Sequence, residues 1–136
     1  MIRPVVKDTF FLAQKSEPAG KEDMKDIQDL LDTFRANREK CVGMAANMIG
    51  VKKRFIAVEF MGMPLIMINP KITAKKGAYT ATEGCLSLTG MRKTERFDRI
   101  TVAYQDMQFR PHTQSFAGLI AQIIQHEIDH CDGIII

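Results

Sequence analysis

Lysine and arginine nowhere gather into a stripe in this chain. Its 19 basic and 16 acidic side chains leave a net charge of only +3, and Lys52-Lys53-Arg54 is too short a run to nominate a nucleic-acid binder. Long apolar runs are missing too. The opening Met1-Ile2-Arg3-Pro4-Val5-Val6-Lys7-Asp8 lacks the uninterrupted apolar core of a signal peptide. No segment approaches the roughly 18 apolar residues of a membrane span, so a cytoplasmic protein without membrane contact is expected. Cysteines number three, an odd count with no framework spacing. That fits a reducing compartment, where thiols serve as ligands, nucleophiles or small core residues and not as a disulfide scaffold. Internal repeats, low-complexity tracts and linkers are absent as well. With 136 residues, 46% of them hydrophobic, the chain suffices for one compact domain over 1–136 and is too short for two.

The elements that are present follow two periods. Met24, Ile27, Leu30, Leu31 and Phe34 recur at helical spacing among charged residues, which predicts an amphipathic helix over 22–39, ended by Cys41-Val42-Gly43. From Arg54 the pattern turns β-like. Phe55–Phe60 and Pro64–Asn69 read as strands joined by a hairpin turn at Met61-Gly62-Met63. Asn69-Pro70 reads as a bend into Lys71–Lys75, and Ile100–Gln105 as a further strand with Ile100, Val102 and Tyr104 on one face. A last helix is expected from about Ser115 to His130, its apolar stripe running through Phe116, Leu119, Ile120, Ile123 and Ile124 into the core.

Histidine is scarce: His112, His126 and His130 are the full set, and two of them fall in Gln125-His126-Glu127-Ile128-Asp129-His130. Positions i and i+4 stack on one helix face, so both imidazoles can reach a single divalent cation while Glu127 projects beside it as a base for water. The bland alternative is a solvated helix end whose histidines merely face water. A catalytic site of this kind wants a third protein ligand and an open position. Cys41, Cys85, Cys131, His112 and the carboxylates are candidates. Cys131 directly follows His130 and points about a hundred degrees round the helix. Cys85 is favoured, because Gly84 lets the backbone come close and leaves the thiolate accessible.

Glu83-Gly84-Cys85-Leu86-Ser87, followed by His126-Glu127-Ile128-Asp129-His130, resembles two of the three signature motifs of the peptide deformylases and matches both in full. The third signature, Gly-apolar-Gly-apolar-Ala-Ala-any-Gln, is met by Cys41-Val42-Gly43-Met44-Ala45-Ala46-Asn47-Met48, where Gly43, Ala45 and Ala46 agree and Cys41 and Met48 depart. Ile49-Gly50-Val51, Asn69-Pro70, Arg96, Gly118-Leu119 and Gly133 extend the likeness over nearly the whole chain. Compared with fuller members, the chain is expected to lack a C-terminal extension.

The resemblance implies an α+β fold with mostly antiparallel sheets packed around a central C-terminal helix that carries both histidines. It implies removal of the N-formyl group from the initiator methionine of nascent polypeptides, with N-formylmethionyl peptides as substrate; the ribosome is a candidate partner, and contact with it is not readable from sequence. It implies one divalent metal held by Cys85, His126 and His130. Fe²⁺ is the cellular metal expected, with Zn²⁺, Ni²⁺ or Co²⁺ as replacements; composition and spacing alone read as a Cys/His/His zinc hydrolase. Glu127 is then base and afterwards acid. The Leu86 N–H is expected to face the developing oxyanion. The second family donor, a glutamine amide, is here Met48, which cannot donate a hydrogen bond; losing one such donor costs on the order of 10²–10³ in kcat. Asn47 or an ordered water is the candidate replacement. Cys41 puts a side chain where the family brings substrate backbone close.

The methionine side chain is expected among Val42, Leu86, Leu119 and Ile123. Substrate backbone would lie as an added strand along Val42-Gly43-Met44. Supporting roles are expected for Glu83 on a ligand histidine and for Arg96 on Asp129, where a surface ion pair is the equal alternative. A second functional reading is a deformylase-like metal-binding protein whose turnover is weak or lost through Met48 and Cys41.

Overall fold

A computed structural model describes residues 1–85 and 90–135; Leu86, expected at the oxyanion and the side-chain pocket, lies outside them. Five strands form one antiparallel sheet in the order β1-β2-β3-β4-β5: β1 Gly43–Ala45, β2 Phe55–Phe60, β3 Met63–Glu83, β4 Arg92–Gln105 and β5 Pro111–Ala117. Every neighbour in the sheet is also a neighbour in the chain. Among the described residues three α-helices accompany the sheet: the single turn α1 Thr9–Leu12, α2 Met24–Ala36 and α3 Leu119–Cys131. This is an α+β architecture.

Why β2 reads as a continuous apolar run follows from its position between two layers. Side chains alternate across a strand. Phe55 and Ala57 therefore join Ile27, Leu30 and Phe34 of α2 in one core, while Ile56 and Val58 join Ile124 and Ile128 of α3 in another. The buried residues of α2, Ile27, Leu30, Leu31 and Phe34, are those picked out by the helical spacing. The β2–β3 hairpin turns at Met61 and Gly62, both at positive φ.

Two boundaries differ from the sequence expectation. Asn69-Pro70 does not end a strand. The pairing of β3 with β4 shifts register between Ile68 and Lys71, so the proline, which has no N–H for the ladder, sits in a bulge and β3 continues to Glu83. The last helix also begins later. Ser115 and Phe116 pair with Thr101 and Ile100 as part of β5, and Phe116 enters the core from a strand. Gly118, at φ +71, makes the break from strand to helix that a side chain would resist. Leu119 opens α3 at 68% exposed and is therefore not part of the core stripe.

Among the described residues no helix is long and apolar enough to cross a membrane.

Candidate metal centre and cleft

The end of β3 delivers Glu83 and Cys85 to the side of α3 that carries His126 and His130. The metal-binding atoms of Cys85, His126 and His130 all lie within 4.8 Å of one another, and the two rings are 4.8 Å apart between centroids. In a tetrahedral site with bonds of about 2.0–2.3 Å the ligand atoms stand roughly 3.4–3.7 Å apart. A small contraction turns this cluster into a chelate. A thiol and two imidazoles also suit a soft or borderline divalent ion. The donor set fits a metal.

One carboxylate orients this site. Glu83 is buried and its Oε1 lies 2.8 Å from Nδ1 of His126, which leaves the other ring nitrogen to face Cys85 and His130. Arg96 donates from Nη2 to Glu83 Oε1 at 2.7 Å and from Nε to Oε2 at 2.9 Å. Its Nη1 reaches Asp129 at 2.6 Å. Arg96 is 3% exposed, so this is no surface ion pair. Burial alone would raise the Glu83 carboxyl, yet the hydrogen bonds with His126 and Arg96 outweigh it and hold Glu83 at about 2. His126 moves the other way: burial opposes its charged form, but hydrogen bonds to Cys85 and Glu83 lift it to about 10.

Glu127 is 4% exposed, and burial pushes its carboxyl up to about 7 against the lowering effect of His126. Its Oε1 has no hydrogen-bond partner among the described residues. The other side of Glu127 is packed against β1. A Cβ on Gly43 would stand 2.8 Å from Glu127 Oε2 and 2.9 Å from Ile123 Cγ2. Glycine at 43 is what lets strand and helix close on the carboxylate.

These groups open onto a cleft of about 680 Å³, whose walls include Cys41, Val42, Gly43, Met48, Leu119 and Ile123. Val42 and Leu119 are exposed there and Ile123 is buried behind them. Met44, by contrast, is fully buried in the core, which leaves only its backbone for any ligand. β1 is the edge strand of the sheet.

Met48 is 1% exposed and its sulfur accepts a hydrogen bond from the Ala45 N–H at 3.4 Å. It thereby caps the 3-10 turn Ala46–Ile49, a part that needs an acceptor and no donor. Asn47 does not stand in for the missing amide. Its Nδ2 donates to the His130 carbonyl at 2.9 Å, turned away from the cleft and clamping the end of α3. Cys41 lies half-buried in the cleft wall with Sγ 3.5 Å from the Asn37 carbonyl, and burial pushes its thiol up to about 11. Cys131 is buried in the α3 core. His112 stacks on Tyr104 and pairs with Asp106. Neither belongs to the cluster of ligands.

Sequence reasoning missed Gln122 and Tyr79. Gln122 lies four residues before His126 and so on the same helix face, a spacing that was available to read. Its Nε2 donates to Glu83 Oε2 at 2.9 Å, and the Tyr79 hydroxyl donates to Gln122 Oε1 at 3.3 Å.

The family model of polypeptide deformylase matches residues 3–136. Peptide deformylase of Clostridium beijerinckii is 56% identical over 136 residues, covering all of both chains. That of Thermus thermophilus is 39% identical over 147 residues, covering 91% of this chain and 74% of its own. The crystal structure of peptide deformylase from Thermotoga maritima superposes with a TM-score of 0.86 at 29% identity, over 99% of this chain and 94% of that one. The Met-Ala-Ser-bound crystal structure of the Acinetobacter baumannii class I type b enzyme gives 0.87 at 28% identity, over 99% and 97%. With its sequence matched almost from end to end and its fold superposed on solved members, this chain belongs to the polypeptide deformylase family.

Proposed function

We propose that the chain is a metal-dependent hydrolase that removes the N-formyl group from the N-terminal methionine of nascent polypeptides and releases formate. The observation that carries this reading is the Cys85, His126 and His130 cluster beside a buried carboxyl with one open oxygen. A divalent ion held by those three residues supplies a Lewis acid and a water nucleophile usable at neutral pH. Fe²⁺ is our assignment for the cell, taken from the family resemblance, with Zn²⁺, Ni²⁺ and Co²⁺ as functional replacements that the same donor set accommodates.

Glu127 does the proton work. Its Oε1 takes a proton from water as oxygen attacks the formyl carbon. It then delivers that proton to the departing amine nitrogen, so that the C–N bond breaks to formate and a free N-terminus. A carboxyl lifted by burial to about 7 is matched to both halves of that task. Glu83, held ionised by Arg96, keeps the His126 ring fixed, and Asp129 holds Arg96 from the other side. The Leu86 N–H is our candidate oxyanion donor. Met48, with no proton to give, is not one.

Substrate enters as an extended segment along the open edge of β1, pairing with the backbone of Val42, Gly43 and Met44. Its methionine side chain lies against Val42, Leu119 and Ile123. A relative from Acinetobacter baumannii was crystallised with Met-Ala-Ser bound, which supports a peptide beginning with methionine as the ligand class. We assign the work to the cytoplasm, on chains leaving the ribosome. The full-length identity to a named peptide deformylase favours turnover over a metal-binding protein that has lost it. Formate release from a formyl-Met peptide, measured with the Fe²⁺ or Ni²⁺ form under exclusion of oxygen, tests the assignment; a metal-loaded protein that releases none refutes it.

A further inference from the structure

Glu83 holds the key imidazole, and it is itself held from a side that the family signatures do not mark. We propose that Gln122, backed by Tyr79, is a positioning residue that fixes the Glu83 carboxylate and through it the His126 ring. The inference rests on the metal-site reading above.

The argument starts from the capacity of a carboxylate. Two oxygens offer about four acceptor sites, and each oxygen of Glu83 takes two donors at 2.9 Å or less: His126 Nδ1 and Arg96 Nη2 on Oε1, Arg96 Nε and Gln122 Nε2 on Oε2. Three of these donors belong to groups expected from the motifs. The fourth is Gln122. Without it Oε2 keeps a single partner, Arg96, on one side, and the carboxylate is free to rock toward the guanidinium and away from His126.

Gln122 is also held. The Glu83 carboxylate only accepts, so the amide turns its NH₂ end toward it, and the Tyr79 hydroxyl donates to the Gln122 Oε1 that faces the other way. Tyr79 is the cross-strand partner of Arg96 in the β3–β4 ladder, so one pair of strands presents both groups that steady Glu83. Gln122 meanwhile stands on the cleft wall between Leu119 and Ile123, where an apolar residue would serve a methionine pocket equally well. Its amide is accounted for by the carboxylate it faces. By keeping Glu83 seated, it fixes the His126 proton on Nδ1 and leaves Nε2 for the metal.

Gln122→Leu and Tyr79→Phe test this on the whole chain. Two readouts do not depend on turnover: Co²⁺ affinity by chelator competition, and the solvent-exchange rate of the His126 Nδ1–H proton in the Zn²⁺-loaded protein by NMR, which reports how firmly Glu83 holds the ring. Gln122→Leu should weaken Co²⁺ binding about 10-fold, the lower end for a residue supporting a ligand. It should also speed exchange of the His126 Nδ1–H proton and lower kcat with KM for a formyl-Met peptide unchanged. Tyr79→Phe should move the same quantities in the same direction by less. It removes one hydroxyl at a partly exposed position, so it carries the test if Gln122→Leu does not fold. Wild-type Co²⁺ affinity and unchanged exchange of the His126 Nδ1–H proton in the folded variants would overturn the proposal, as would a change confined to KM, which would make Gln122 a pocket wall. Wild-type protein that binds Co²⁺ tightly yet releases no formate would instead refute the deformylase reading and leave the positioning result standing.

Discussion

Replacing Gly43 by alanine adds one methyl group where β1 and α3 close on each other in the molecule's reactive cleft. The backbone there is not in the left-handed region, so the substitution tests space alone. The new Cβ would lie 2.8 Å from Glu127 Oε2, 3.0 Å from Glu127 Cγ and 2.9 Å from Ile123 Cγ2. Ordinary contact begins near 3.4 Å, which requires about 0.6 Å of retreat. Rotating the carboxylate does not provide it, because Cγ is crowded along with the oxygen. Ile123, one turn earlier on the same helix, blocks the second direction. Either α3 moves as a body or Glu127 leaves its position. Misplacing a reacting group by about 1 Å costs on the order of 10²-fold in rate, so we expect kcat to fall by roughly 30- to 100-fold. Overpacking of this kind costs about 1–3 kcal/mol of stability, a loss that a thermal melt would register. Metal content tells the two movements apart: it should stay close to wild type if Glu127 alone yields, and fall if α3 carries His126 and His130 away from Cys85. Steady-state formate release, metal analysis and a melting curve on one preparation decide the matter. A variant with wild-type kcat and wild-type melting would show that the Glu127 position is not set by β1, and the argument for glycine at 43 would fall.

Cys85→Ala should abolish tight metal binding; metal content equal to wild type would mean the ligand assignment is wrong. Glu127→Gln keeps the shape and removes the base, so metal content should hold while kcat drops by about 10²–10⁴-fold, as single-turnover formate release would reveal. Met48→Gln offers an acceptor to Ala45 N–H and a donor to the cleft, and should raise kcat/KM by up to about 10²-fold; an unchanged rate at equal metal occupancy would show that no donor is missing. Glu83 sits at about 2 in the fold against 4.5 ordinarily, so its contribution is fully present above about pH 4.5 and is lost as pH falls toward 2. That contribution is worth about 3 kcal/mol. Denaturant midpoints of wild type and Glu83→Gln should therefore converge across that window, and parallel curves would contradict it.

How much of this could be read beforehand depended on whether a residue's partner is near in the chain. Ile27, Leu30 and Phe34 declare their helix because spacing and burial are local facts. His126, Glu127 and His130 share a face for the same reason. Asn69-Pro70 misled because proline usually stops a strand, and only the register of β4 makes it a bulge. Phe116 misled because an apolar residue just ahead of an apolar helix fits either period; the turn at Gly118 decides it. Asn47, one of two candidates to replace the missing amide, could not be decided locally, because its partner is the His130 carbonyl, 83 residues away. Gln122 went unread because its meaning comes from a carboxylate that the fold brings up from another strand. Local periodicity is visible in sequence; satisfied buried polar groups become visible only when the fold pairs them.

The open edge of β1 carries a liability as well as a use. A strand with one unpaired side is a template for any extended backbone, including that of a second copy of the same protein. Here the template is three residues long, Gly43–Ala45, and its first residue is part of the cleft wall. So short an edge offers few ladder hydrogen bonds, which is one of the ways sheet proteins blunt edge-to-edge pairing. Backbone pairing alone therefore holds little on such an edge, and whatever extended segment stays there must also be held by its side chains.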